Sequence, residues 1–114
     1  MKLIKSLEES WLDKEGYSKK VLFENDKNKL VVQDIKIKPG ETAKNHYHKK
    51  QNEVFYFLNE NGKWIINGEE LKPQKGDVLV IEPFDKHEVI NDTLGEYLYI
   101  AFKFNVQEND FFWA

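Results

Sequence analysis

Three histidines and one acid in this chain have the types and spacing of a metal-ligand set: His46, His48, Glu53 and His87. His46 and His48 are separated by one residue. Side chains on a β-strand alternate faces with a period of two, so both imidazoles reach one side while Tyr47 points away. Imidazole with carboxylate suits Mn, Fe, Co, Ni or Zn, whereas calcium and magnesium prefer all-oxygen shells and structural zinc usually recruits cysteine. The chain has no cysteine, which also removes disulfides and thiol chemistry. Three neutral imidazoles and one carboxylate leave two positions of an octahedral ion open to water or substrate. One divalent transition metal per subunit is therefore expected, on His46, His48, Glu53 and His87. Open positions allow Lewis-acid polarisation, activation of water or, with Fe(II), dioxygen chemistry.

Such a set must be carried by a folded scaffold, and 114 residues allow one hydrophobic core and not two. A content of 40% hydrophobic and 14% aromatic residues excludes a disordered chain, while 32% charged residues exclude a membrane protein. No apolar run approaches the roughly 20 residues of a spanning helix. Lys5, Glu8 and Glu9 interrupt the stretch that a signal peptide would keep apolar, so a cytoplasmic location is expected. The net charge of -3, with lysines scattered among acids, argues against nucleic acid as a partner. A small-molecule substrate or ligand is expected instead, with no membrane partner.

The pattern beyond residue 20 is a series of short strands: 21–24, 30–38, 53–58, 63–66, 69–72, 78–81, 87–90 and 97–106. Pro39-Gly40, Asn67-Gly68 and Lys75-Gly76-Asp77 punctuate them, and Asn67-Gly68 is suited to a two-residue type I′ hairpin. Leu3, Leu7 and Trp11, spaced by four, predict a helical turn or two within residues 3–14. The expected layout is one domain over 1–114, with an N-terminal arm (1–22), a barrel (about 23–106) and an aromatic tail (107–114). Residues 54–58, 78–81 and 98–102 are apolar at both parities, so both faces of those strands need cover. Leu7 and Trp11, the tail, or a second subunit can supply it. A homodimer is expected.

Gly40, His46, His48, Glu53 and Gly62 resemble the first signature of the cupin superfamily. Gly76, His87 and Asn91 match the offsets of its second. The resemblance spans about residues 30 to 105. It implies an all-β, double-stranded β-helix (jelly-roll) barrel with the metal inside near the open end. Two departures stand out. Eight residues separate Glu53 from Gly62 where the family usually has six, and the Pro-x-Gly turn of the second signature is replaced by Glu82-Pro83-Phe84. Phe84 adopts positive φ at a cost that glycine avoids, so the special backbone angle is expected at Asp85.

The one-then-four spacing of the first signature is similar to phosphomannose-isomerase-like domains, which implies a metalloenzyme of isomerase or epimerase type on a small polar or carbohydrate-like substrate. An Fe(II) or Mn(II) dioxygenase shares the ligand set, and a non-enzymatic small-molecule binding or sensing module would look the same. Gln33 and Phe55 (inward by parity) and Asn91 (from the second signature) are candidate substrate contacts. Tyr99 and Lys103, on the last strand, are the candidate catalytic residues for proton transfer. The cluster Phe111-Phe112-Trp113 is expected to be a packing plug.

Overall fold

Turn-forming residues cut the chain into strands. The computed structural model describes residues 1–114. It holds eleven strands: β1 (Leu12–Lys14), β2 (Tyr17–Asn25), β3 (Leu30–Ile37), β4 (Thr42–Tyr47), β5 (Asn52–Phe57), β6 (Lys63–Ile66), β7 (Glu69–Leu71), β8 (Val78–Ile81), β9 (His87–Ile90), β10 (Tyr97–Phe104) and β11 (Phe112–Trp113). One sheet runs β1-β2-β3-β10-β5-β8 and the other β11-β4-β9-β6-β7. The fold is the expected all-β double-stranded β-helix. No helix is long and apolar enough to cross a membrane.

The strand alternation decides which side chains fill the barrel. Along β10, Tyr97, Tyr99 and Ala101 are buried, while Leu98, Ile100 and Phe102 on the outer face are half-buried. Phe55 and Phe57 of β5, Ile35 and Ile37 of β3 and Trp64 of β6 join them in the core. Phe57 stacks on Tyr97 with ring centroids 5.8 Å apart, and Trp64 Nε1 donates to the Tyr97 hydroxyl at 3.1 Å. This aromatic cluster fills the barrel beneath the histidines, so only one end is left for chemistry.

Asn67 (φ 51°) and Gly68 (φ 85°) both adopt positive φ, as the type I′ hairpin between β6 and β7 requires. The turn after β8 departs from expectation. Phe84, not Asp85, carries the positive angle, at φ 72°. Several bonds pin it there. The Glu82 carbonyl accepts from Asp85 N–H at 3.1 Å, Asp85 Oδ2 accepts from Glu82 N–H at 2.9 Å, and Phe84 N–H donates to the His48 carbonyl at 2.7 Å. The Phe84 ring also stacks on Tyr47, 6.2 Å away. Together these hold a conformation that costs a bulky residue about 1–3 kcal/mol.

The N-terminus also differs. Instead of a helical turn or two within residues 3–14 there is one 3-10 turn, Ser6–Glu8, followed by β1. Leu3 and Leu7 find no core and stand 82% and 98% exposed, so their spacing has nothing to stabilise a helix. The arm-to-barrel boundary expected near residue 22 falls inside β2. Ser18 and Lys20 hid that strand, because both are polar yet buried: Lys20 Nζ donates to the Ser6 carbonyl at 3.1 Å. Trp11 lies between Lys20 and Lys36, whose ammonium groups are 4.9 and 4.3 Å from its ring. The arm thus covers β2 and β3. It leaves Tyr56, Val78 and Val80 on β5 and β8 exposed at 41%, 57% and 55%.

Gly62 passes so close to Tyr97 that an added Cβ would sit 2.2 Å from its ring. Gly62→Ala should therefore lower stability by about 1–3 kcal/mol through displacement of the buried ring. Urea unfolding checks this, and an unchanged midpoint would show that the aromatic cluster yields freely.

Candidate metal centre

Backbone register places the three imidazoles. Ala43 and His46 are three residues apart, yet both face the cavity, because the register of β4 against β9 shifts between them. An extra residue in a strand re-aims the side chains beyond it. His46 then lies directly opposite His87, the first residue of β9, with ring centroids 4.2 Å apart. His48 follows the end of β4, its carbonyl anchored by Phe84 N–H.

Each ring turns its Nδ1 to a backbone carbonyl: His46 to Lys44 at 2.7 Å, His48 to Asp110 at 2.5 Å, and His87 to Asp85 at 2.9 Å. A carbonyl can only accept, so each Nδ1 carries a proton and, in the neutral ring, each Nε2 a lone pair. Ligand nitrogens of the three rings lie within 4.8 Å of one another. The three histidines are positioned to bind a metal ion.

Glu53 stands at the same point. Its Oε1 is 3.0 Å from His48 Nε2 and 3.4 Å from His87 Nε2, but neither approach is aligned as a hydrogen bond, and this buried oxygen is left unsatisfied. A carboxylate oxygen among imidazole lone pairs needs a cation between them. Without metal that cation is a proton. Burial lowers the His48 pKa, but the adjacent Glu53 carboxylate outweighs it and holds the imidazole above its ordinary 6.5. Burial and repulsion from His87 pull His46 down to about 4, which keeps that ring neutral. Burial would raise the Glu53 carboxyl, yet His48 and His87 hold it well below 4.5. The donor set fits a divalent transition ion.

The cavity over this cluster has a volume of about 100 Å³. The three histidines, Glu53, Gln33, Phe55, Tyr99 and Lys103 all line it. Asn91, expected as a substrate contact, is not among the lining residues. Its Nδ2 donates to the Ile37 and Gly95 carbonyls, both at 2.8 Å, and its Oδ1 accepts from Thr93. Ile37 pairs with Tyr97, roughly 20 Å along β10 from Lys103, so Asn91 braces the opposite end.

The aromatic tail at 111–113 packs against the site itself. Phe111 stacks on His46 at 4.8 Å, and Phe111 and Trp113 line the cavity. β11 adds the tail to the edge of β4. Asp110 fastens it. Its carboxylate accepts from the backbone N–H groups of Lys49, Lys50 and Gln51 at 2.7, 3.1 and 2.9 Å, while its carbonyl orients His48. No local signal marks Asp110, which lies 62 residues from His48. Tyr17 also lines the cavity, from a strand that its charged neighbours concealed.

Residues 33–101 match the Cupin domain family. The chain is a cupin. No curated protein matches it in sequence. Solved structures similar to this cupin include KdgF from Halomonas sp., at 17% identity and TM-score 0.82, the match covering 96% of this chain and 97% of that one. The nucleoside dehydratase Pac13 of Streptomyces shares 14% identity at TM-score 0.80 over 100% and 94% of the two chains. A predicted oxalate decarboxylase from Thermotoga maritima shares 20% at TM-score 0.75 over 92% and 100%. These likenesses establish the fold.

Ligation displaces the His48 proton, so metal affinity in this cupin should fall as pH drops through the raised pKa of that imidazole. Elemental analysis and competition titration should give one divalent ion per subunit, lost in His48→Ala. Asp110→Ala keeps the carbonyl that faces His48 but removes the carboxylate that fastens it in place, and the affinity should drop about 10–100-fold, the usual effect of loosening a group that orients a ligand. Equal affinity in Asp110→Ala and wild type would mean that the tail does not position His48.

Proposed function

We propose that this cupin is a divalent-metal-dependent enzyme of isomerase or epimerase type, acting on a small polar substrate with adjacent oxygens. Glu53 is the fourth ligand in this reading, which satisfies its orphaned oxygen. When bound, the metal supplies Lewis-acid polarisation of a substrate oxygen.

The observation that carries the reading is the placement of Tyr99 in the same cavity as the imidazoles. Burial, with the neighbouring Tyr97 and Glu53, raises its phenol well above 10, so it keeps its proton at neutral pH. It can therefore donate to a substrate carbonyl oxygen and acidify the adjoining C–H, a role of acid and not of base, with the released C–H proton passing to water at the cavity mouth. Phe55 and Trp64 pack against Tyr99, with ring centroids 5.4 Å away in both cases, and fix its direction. Phe111 and Trp113 line the same cavity from the C-terminal tail. Neighbouring structures support small-molecule chemistry in such a barrel, since Pac13, described as a nucleoside dehydratase, is also known with uridine.

The test needs no prior substrate. In D2O, metal-loaded protein should catalyse C–H exchange in at least one member of a panel of aldoses, ketoses and hydroxy or keto acids, read by proton NMR. Tyr99→Phe should lose most of that rate, by about 10²–10⁴-fold, while keeping its metal. No exchange anywhere in the panel, with oxygen uptake by the Fe(II) form, would replace this reading with a dioxygenase.

We propose also that the protein works as a homodimer. The N-terminal arm covers β2 and β3 and the tail covers β4, which leaves the cross-strand pair Tyr56–Val78 and its neighbour Val80 as a contiguous exposed apolar face. A second copy is the expected cover. Light scattering should give twice the 13.6 kDa chain mass, reduced to one in Val80→Lys. A wild-type monomer at working concentrations would contradict it.

A further inference from the structure

Two lysines line the cavity, and only one has a counter-ion. Lys44 pairs with Glu15 at the rim, 3.3 Å apart, whereas Lys103 makes no ion pair. Lys103 lies directly across the ladder from Glu53, but Glu53 Oε1 is turned to His48 and His87. With Glu53 committed to the metal, a divalent ion, one carboxylate and one ammonium sum to an excess of positive charge in a small, partly dry space. A neutral ligand leaves that excess in place; an anionic one removes it.

The neighbours of Lys103 have the matching chemistry. On the inner face of β10, Tyr99, Ala101 and Lys103 stand in a row, and Gln33 of β3 is the cross-strand partner of Ala101. The small alanine leaves room for the Gln33 amide. Gln33 is 1% exposed, lines the cavity, and its Nε2 has no hydrogen-bond partner. A buried amide donor left unpaired is costly, and an acceptor on a ligand would recover that cost. Gln33 and Lys103 thus line the same cavity as the imidazoles from adjacent strands, and both can donate to a ligand there.

We propose that the site takes a small carboxylic acid with a hydroxyl or keto oxygen on the adjacent carbon, its carboxylate held by Lys103 and Gln33. The inference rests on the metal-dependent reading above and names the substrate class for it. The volume fits: about 100 Å³ is several times the roughly 10–15 Å³ that one water needs on the same measure, enough for an acid of a few heavy atoms. Lys103 is then a specificity-determining residue and not the base that its position on the last strand first suggests.

Glycolate and glycolamide differ in charge and little else, so they are the probes. Calorimetry on the full-length, metal-loaded protein should show glycolate bound more tightly, and Lys103→Met should erase about tenfold of that preference with metal content unchanged. Lys103→Arg, which keeps the charge, should restore it, and Gln33→Leu should weaken glycolate with the metal still bound. The inference is overturned if Lys103→Met keeps the wild-type preference, or if wild type binds neither probe. Metal content measured on the same samples separates the two readings. A wild-type protein free of metal that still selects glycolate through Lys103 would refute the metal reading alone.

Discussion

The site rests on one electrostatic constraint: a buried carboxylate oxygen and imidazole nitrogens are gathered where only a shared cation can join them. His46, His48 and His87 are each held through Nδ1 by a backbone carbonyl, which commits Nε2 to the cavity. Glu53 Oε1 meets two of those nitrogens at 3.0 and 3.4 Å without an aligned hydrogen bond. Such an arrangement is unstable unless a cation joins it. A proton on His48 joins that ring to Glu53, whereas a metal ion joins all three rings to it.

The rest of the structure serves to hold that arrangement. The aromatic cluster of Phe55, Phe57, Trp64, Tyr97 and Tyr99 closes the barrel below, so the cavity has one opening. The register shift in β4 turns His46 inward, and the strained Phe84 turn ties its own backbone to the His48 carbonyl. From the far end of the chain, Asp110 clamps the β4–β5 connection and aligns His48, while Phe111 lies over His46. Local strain at Phe84 is offset by the bonds that fix a ligand, the usual place for strain in a binding site.

How much of this was legible depended on whether the signal was local. Asn67-Gly68 announces its hairpin because φ preference belongs to the dipeptide itself. The inward positions of Glu53, Phe55, Tyr99 and Lys103 follow from strand parity, which survives without any knowledge of the partner strand. The histidine pair was legible for the same reason, although the register shift that aims it was not. Asn91 has the offset of a site residue, but which end of the barrel it reaches is a matter of topology. Asp110, Phe111 and Trp113 act through contacts with residues about 60 positions away, which no spacing rule records. Polar residues buried under the N-terminal arm broke the alternation of β2 and concealed Tyr17. Phe84 failed in the opposite direction: intrinsic preference was read correctly and tertiary bonds overrode it.

The convergence of three Nε2 atoms on one cation is most directly read by 15N NMR of histidine-labelled protein during titration with Zn2+. All three rings should show a protonated Nδ1 throughout, and each Nε2 should move to the metal-bound shift together, at one equivalent. A histidine that keeps an Nε2–H signal in the loaded protein would contradict the account.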